Sequence, residues 1–156
     1  MGYTIVELPE QHLIGLAQTG LLNDDPACGA KIGAVWQKFN TPGTADAIPA
    51  VVTEPYACFG AYYDYDLATN GYTMLVGCAS TATSAPEGMA RTTIPAGRYA
   101  KFSIQGDCTT AVGQAWMDIW NDEELLAKRA FTVDFEAYLP GGDMANANID
   151  IYIALK

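Results

Sequence analysis

Residues 32–39 read Ile-Gly-Ala-Val-Trp-Gln-Lys-Phe and residues 112–119 read Val-Gly-Gln-Ala-Trp-Met-Asp-Ile, so Gly33 and Trp36 recur as Gly113 and Trp116 at an offset of 80. Upstream, Leu8-Pro9 matches Ile94-Pro95 at an offset of 86; downstream, Phe59-Gly60-Ala61-Tyr62 matches Phe135-Glu136-Ala137-Tyr138 at an offset of 76. The matches keep their order in both halves. A chain that states one pattern twice is expected to fold as two similar units sharing a core, and two units packed about a pseudo-twofold axis leave a cleft between them. At matched positions the copies share Gly, Trp, Phe, Ala and Tyr. They differ at Gly60 against Glu136.

Each copy reads as strand, helix, strand, strand. Tyr3 to Leu8 has β character, Pro9 interrupts it, and His12 to Thr19 resumes it, which predicts a strand with a bulge or bend. Asn23-Asp24-Asp25-Pro26 signals a helix start, and Ile32, Val35, Trp36 and Phe39 recur at i, i+3, i+4 and i+7, predicting an amphipathic helix over about 27–40. Residues 42–50 read as a loop. Aromatic Tyr56 to Tyr65 and apolar Tyr72 to Gly77 flank Asn70-Gly71, a hairpin turn signal. Residues 80–88 are rich in Ser, Thr, Ala, Pro and Gly and form the expected linker. In the second copy, Met89 to Ile104 supplies one or two strands around Pro95-Ala96-Gly97. Gly106-Asp107-Cys108-Thr109 caps a helix carrying Val112, Ala115, Trp116, Ile119 and Trp120. Arg129 to Leu139 and Ile149 to Leu155 form a hairpin through Pro140-Gly141-Gly142. The expected fold is α+β: duplicated strand-helix-strand-strand modules with pseudo-twofold symmetry, two main helices and a mostly antiparallel sheet of about eight strands. The whole of 1–156 is expected to be one domain, with modules at about 1–80 and 89–156.

Eighteen acidic residues against eight Lys plus Arg give a formal charge of −10, which repels a phosphate backbone, and no basic run offsets it. Direct nucleic-acid binding is not expected. No stretch reaches the roughly 18 apolar residues of a membrane span and no leader pattern opens the chain, so the reading is cytoplasmic. Cys28, Cys58, Cys78 and Cys108 contain no C-x-x-C pair and His12 is the single histidine, so free thiols are expected and no metal or cofactor is implied. Cys28 and Cys108 are 80 apart, at the two expected helix starts, where a thiol pKa can be lowered. No Ser-His-Asp set, phosphate loop or metal spacing points to an enzyme.

Period two along residues 132–139 puts Val133, Phe135, Ala137 and Leu139 on one face and Thr132, Asp134, Glu136 and Tyr138 on the other. The second face suits either solvent or a cleft lined by tyrosines with one carboxylate. Aromatic rings attract a cation by about 0.5 to 2 kcal/mol per contact, and a carboxylate shielded from water attracts it more strongly. Candidates for such a wall are Tyr62, Tyr63, Tyr65, Tyr72, Tyr138 and Tyr152, two or three of which are expected to line a site, the rest being strand packing. Trp36 and Trp116 lie on the apolar helix stripes and read first as core. Trp120, which extends the second stripe, reads as core or as the cap of a pocket.

In order along the chain, Gly-x-x-Trp-x-x-Phe, Ile94-Pro95-Ala96-Gly97-x-Tyr99, Trp116-x-x-Ile119-Trp120, and Phe135-Glu136-Ala137-Tyr138 followed by Ile149-Asp150-Ile151-Tyr152-Ile153 resemble the GyrI-like, or bacterial transcription activator effector-binding, domains. The likeness spans nearly the whole chain. It implies two modules about a pseudo-twofold axis and a pocket for lipophilic, often cationic, drugs. By match to the F-E-x-Y motif, Glu136 is the acidic residue of that pocket. Regulators of the AraC and MerR types join such a domain to a DNA-binding region; none is recognised in these residues, so a stand-alone member is the expectation. Stand-alone members resemble sequestering or gyrase-protecting proteins, and some hydrolyse cyclopropane-bearing toxins with a Glu and a Trp, here Glu136 with Trp116 or Trp120. The expectation is a stand-alone module that binds a hydrophobic cation through Glu136, Trp120, Trp116, Tyr62, Tyr72, Tyr138, Trp36 and Tyr152. Toxin hydrolysis and a protein-interaction role are the alternatives. A protein partner or a homodimer stays open.

Overall fold

A computed structural model describes residues 2–141 and 143–156. Gly142, in the expected hairpin connection, lies outside the described residues. Nine strands form one antiparallel sheet: β1 Thr4–Leu8, β2 Gln11–Leu22, β3 Val51–Val52, β4 Cys58–Asp66, β5 Gly71–Ser80, β6 Ala90–Ile94, β7 Gly97–Gly106, β8 Val133–Tyr138 and β9 Ala147–Ala154. Two main helices, α1 Cys28–Phe39 and α2 Thr110–Trp120, precede β4 and β8, and a short α3 spans Glu123–Lys128.

The strand order is β1-β7-β9-β8-β4-β5-β2-β6, with β3 beside β5. The expected bend at Pro9 is a full break. Instead of continuing into β2, β1 crosses to the far edge and pairs with β7 (Thr4↔Lys101 to Leu8↔Gly97), while β6 pairs with β2 (Gln11↔Ile94 to Gly15↔Ala90). Each short strand thus edges the half to which its chain neighbour does not belong. At the centre β4 meets β8, and Gly60 pairs directly with Glu136. Residues equated by the offset of 76 therefore face one another there.

Aspartates set the helix starts. Asp25 Oδ1 accepts the Ala27 N–H at 2.9 Å before α1, and Asp107 Oδ1 accepts the N–H groups of Thr109 and Thr110 at 2.9 and 3.2 Å before α2, satisfying donors that a helix terminus leaves free. Residues 121–128, for which the apolar pattern gave no element, form α3 under an Asp122 cap (Leu125 N–H to Oδ1, 3.0 Å). Leu125 anchors it, fully buried in the core.

Both helices lie on one face of the sheet. Val35 and Phe39 of α1 pack on Ile14, Leu16, Met74 and Val76; Val112, Ala115 and Ile119 of α2 pack on Ala100, Phe102, Ile151 and Ile153. The other face carries no helix and closes on itself. Ile94 of β6 and Val6 and Leu8 of β1, from opposite ends of the strand order, join one cluster with Phe59, Leu75, Phe135 and Tyr152. The sheet is therefore strongly curled. Close backbone approach is part of that curl: a Cβ on Gly15 would lie 2.0 Å from the Val76 carbonyl oxygen, so only glycine fits.

Every residue of β8 is buried, on both faces. The reading of Asp134, Glu136 and Tyr138 as a solvent face is corrected, because α1 and α2 cover that side. Arg129, expected to open this strand, instead bridges to Leu155, and Phe131 intervenes at a positive φ of 56°. Leu139, expected on the apolar face, lies past the strand end and is exposed.

Candidate functional site

Between α1 and α2, over β4 and β8, lies a cavity of about 740 Å³. Each helix turns an indole into it, Trp36 from α1 and Trp116 from α2, and both are only partly buried. The first reading of these two residues as core holds only in part: each packs against the core at one edge of its stripe and turns its remaining surface to the cavity. Gly33 and Gly113, the matched glycines, line the same space, and a Cβ on either would meet no atom within 4 Å. A larger residue there would grow into the cavity.

Glu136 forms the floor at 1% exposure. Three donors hold its carboxyl: Trp116 Nε1–H to Oε2 at 2.8 Å, Tyr138 O–H to Oε1 at 3.1 Å, and Tyr62 O–H to Oε1 and Oε2 at 3.3 and 3.4 Å. Burial nevertheless outweighs these bonds and lifts the acid from its ordinary 4.5 to about 7, because losing water penalises the charged form more than three neutral donors favour it. The same enclosure raises the phenols of Tyr62 and Tyr138, so both remain donors at neutral pH. Among the described residues Glu136 has no ion-pair partner.

Gly60 explains how the carboxyl fits. A Cβ at position 60 would stand 2.8 Å from Glu136 Oε1 and 3.1 Å from Trp36 Cζ2. Two large residues cannot share that central pair, so one strand supplies the acid and the other the room. Further along β4 the register shifts between Tyr63 and Asp66, with Asp64 at φ 52°. This bulge re-aims the chain, so that Tyr62 and Tyr65 both face the cavity while Tyr63 packs against the opposite core. Tyr62 and Tyr72 meet edge-to-face at 5.9 Å, Tyr62 and Trp116 at 5.1 Å, and Trp36 and Tyr138 at 5.1 Å. Such pairs hold the walls in place.

Of the six candidate wall tyrosines, Tyr62, Tyr65, Tyr72 and Tyr138 line the cavity, more than the two or three expected. Tyr152 does not. It lies across the sheet, beside Tyr56, whose hydroxyl donates to Asp150 at 2.6 Å, because its strand position turns it to the helix-free face. Trp120 sits at the rim, 38% exposed. Sequence reasoning missed Ile32, Val112, Met117 and Met144, which complete the apolar lining; of these, Ile32 and Val112 carry the stripe signal itself. Both matched cysteines also face the cavity, Cys28 bonded to the Tyr72 hydroxyl at 3.1 Å. The helix start does not lower the thiol of Cys108, whose pKa is raised by burial and by Asp107. All four cysteines are free. Among the described residues no cluster of His, Cys, Asp and Glu could hold a metal ion, and no helix is long and apolar enough to cross a membrane.

A second buried acid stands two residues away. Asp134 receives Arg129 Nη2 at 2.6 Å, the Tyr65 hydroxyl at 2.7 Å and the Ala154 amide at 2.8 Å. Arg129 is itself fully buried, its guanidinium carbon 4.6 Å from the Trp120 ring centroid and 4.3 Å from that of Phe131.

Residues 4–155 match the model of a family described as Cass2, integron-associated effector binding protein. Among solved structures the fold is similar to SAV2435 bound to tetraphenylphosphonium (TM-score 0.82, 18% identity, covering 100% of this chain and 94% of that one). It is also similar to a Staphylococcus aureus MU50 protein described as a putative bacterial transcription regulation protein (0.79, 18%, 100% and 99%). The integron cassette protein VCH_CASS2 of Vibrio cholerae is 25% identical (0.75, 100% and 97%). No protein of curated function matches the sequence.

Proposed function

This chain belongs to the integron-associated effector-binding protein family, and we propose that it captures hydrophobic cations in the cavity between α1 and α2. Small-molecule binding is the property its family description carries. The observation that supports a cation is Glu136: a buried carboxyl, ringed by aromatic faces, with three neutral donors and no positive partner among the described residues. A cation entering there gains the carboxylate's charge and the pull of the rings together. The carboxyl's bonds to Trp116, Tyr138 and Tyr62 fix it before the ligand arrives, so little ordering is left to the binding step. The ligand of SAV2435, a phosphonium enclosed by four phenyl rings, is of this chemical kind.

The same reading treats residues 1–156 as one effector-binding domain of two modules, about 1–80 and 89–156. The strand order, which mirrors itself about the β4–β8 pair, and the direct pairing of Gly60 with Glu136 support it. The test uses tetraphenylphosphonium and its neutral relative triphenylphosphine oxide in parallel titrations. Glu136→Gln is expected to weaken the phosphonium by about 2 kcal/mol, roughly thirtyfold, and to leave the neutral compound within twofold. Equal losses for both would remove the charge role.

A further inference from the structure

Trp120 belongs to two hollows at once. Beyond the Glu136 chamber, and sharing Tyr65, Tyr72 and Trp120 with it, lies a second space of about 280 Å³ whose outer wall includes Phe131 and Asp66. Two of its rings are held from behind: the Arg129 guanidinium stacks on both Trp120 and Phe131 and is itself locked by Asp134. Phe131 keeps a φ of 56°, a conformation bulky residues rarely adopt and one that persists only where the surroundings impose it. The wall is therefore built before any ligand arrives.

A guanidinium on the far side of two rings leaves them a weaker pull on a second cation, so the rings alone do not decide what this hollow takes. Asp66 does. Its Oδ1 accepts the Ala68 amide at 3.1 Å, and among the described residues it forms no ion pair. The spacing of the two acids follows from the ladder. Glu136 pairs with Gly60, and Asp66 lies six residues further along the same strand, which at about 3.3 Å per residue separates the two backbone positions by roughly 20 Å, less the bulge at Asp64.

We infer that the two hollows form one continuous site for elongated dications, with one head on Glu136, the other on Asp66, and an apolar linker lying over Tyr65, Tyr72 and Trp120. This rests on the cation-capture reading above and extends it to a second charge. Linking two heads turns the second contact into an intramolecular one, which raises affinity without a new partner.

The probes are dequalinium, two quinaldinium cations on a polymethylene chain, and its monocationic half, a 4-amino-1-alkylquinaldinium of equal chain length, titrated by fluorescence at low salt. Wild type is expected to bind dequalinium about tenfold tighter than the half. Asp66→Asn, which keeps the turn's acceptor oxygen, should weaken dequalinium three- to fivefold and leave the half unchanged, with the difference closing at high salt as an exposed ion pair is screened. Equal effects on both probes, no effect on either, or no advantage of dequalinium in wild type would overturn the second subsite. Glu136→Gln separates the two readings: if the half is lost there while Asp66→Asn moves nothing, only the second subsite fails, and if the half is unmoved by Glu136→Gln the parent reading fails.

Discussion

Asp134 and Glu136 sit two residues apart on β8, on the same face, both essentially without solvent contact. One is saturated: Asp134 has a guanidinium, a phenol and a backbone amide. The other has donors but no charge to answer its own, and burial drives it toward neutrality. A buried acid with a built-in cation belongs to the scaffold, because removing either partner strands a charge in a low-dielectric interior. A buried acid without one is a standing cost to the fold, and Glu136 is the one that fronts the cavity. Burial and a carboxyl group are shared by the two; the charge that answers one and not the other is Arg129.

The largest effect that separates them is expected from Arg129→Met. Stranding Asp134 should lower unfolding free energy by about 3–5 kcal/mol in urea titrations, whereas Glu136→Gln should leave the midpoint unchanged or raise it. Similar losses in the two variants would erase the distinction. Next comes pH. Because the folded state holds the Glu136 proton more tightly than the unfolded chain, stability is greatest below the ordinary 4.5 and declines as pH rises to about 7. The slope inside that window is about 1.4 kcal/mol per pH unit, roughly 3 kcal/mol in all, and it should be missing from Glu136→Gln when urea midpoints are compared at pH 5 and pH 8. A matching slope in the variant would assign the titration to another group. The smallest effect is Trp116→Phe. Losing one donor to a charged acceptor is worth about 1.5 kcal/mol, so the pH at which tetraphenylphosphonium binding is half-lost should move up by about one unit. A downward move would mean the indole does not favour the ionised form.

The repeat made much of this legible. Matched Gly-x-x-Trp patterns gave both helices, the first to within one residue at each end, and the Phe-x-Ala-Tyr match marked the strand pair that turned out to lie at the sheet's centre. Glu136 stood out because its counterpart is Gly60, and the 2.8 Å approach of a Cβ to its carboxyl shows why the copies must differ there. What stayed hidden was three-dimensional. Period two assigns Asp134 and Glu136 to one face but cannot say that two helices roof it, nor that Arg129, five residues earlier in an irregular stretch, folds back onto Asp134. Tyr63 and Tyr65 look interchangeable along the chain, and only the bulge at Asp64 sends one to the core and the other to the cavity. Tyr152 has the right residue type on a neighbouring strand and the wrong parity.

The exchange of edge strands has a consequence for how the molecule comes to be made. Residues 4–8 are translated well before their partners, residues 97–101. At a synthesis rate of roughly 5–20 residues per second, the 93 residues from position 9 through 101 keep β1 waiting for about 5 to 20 s. Over that interval the nascent first half holds α1, β4 and β5 with its own opening strand undocked. β1 can pair only once β7 has been made, so its docking reports on completion of the far half.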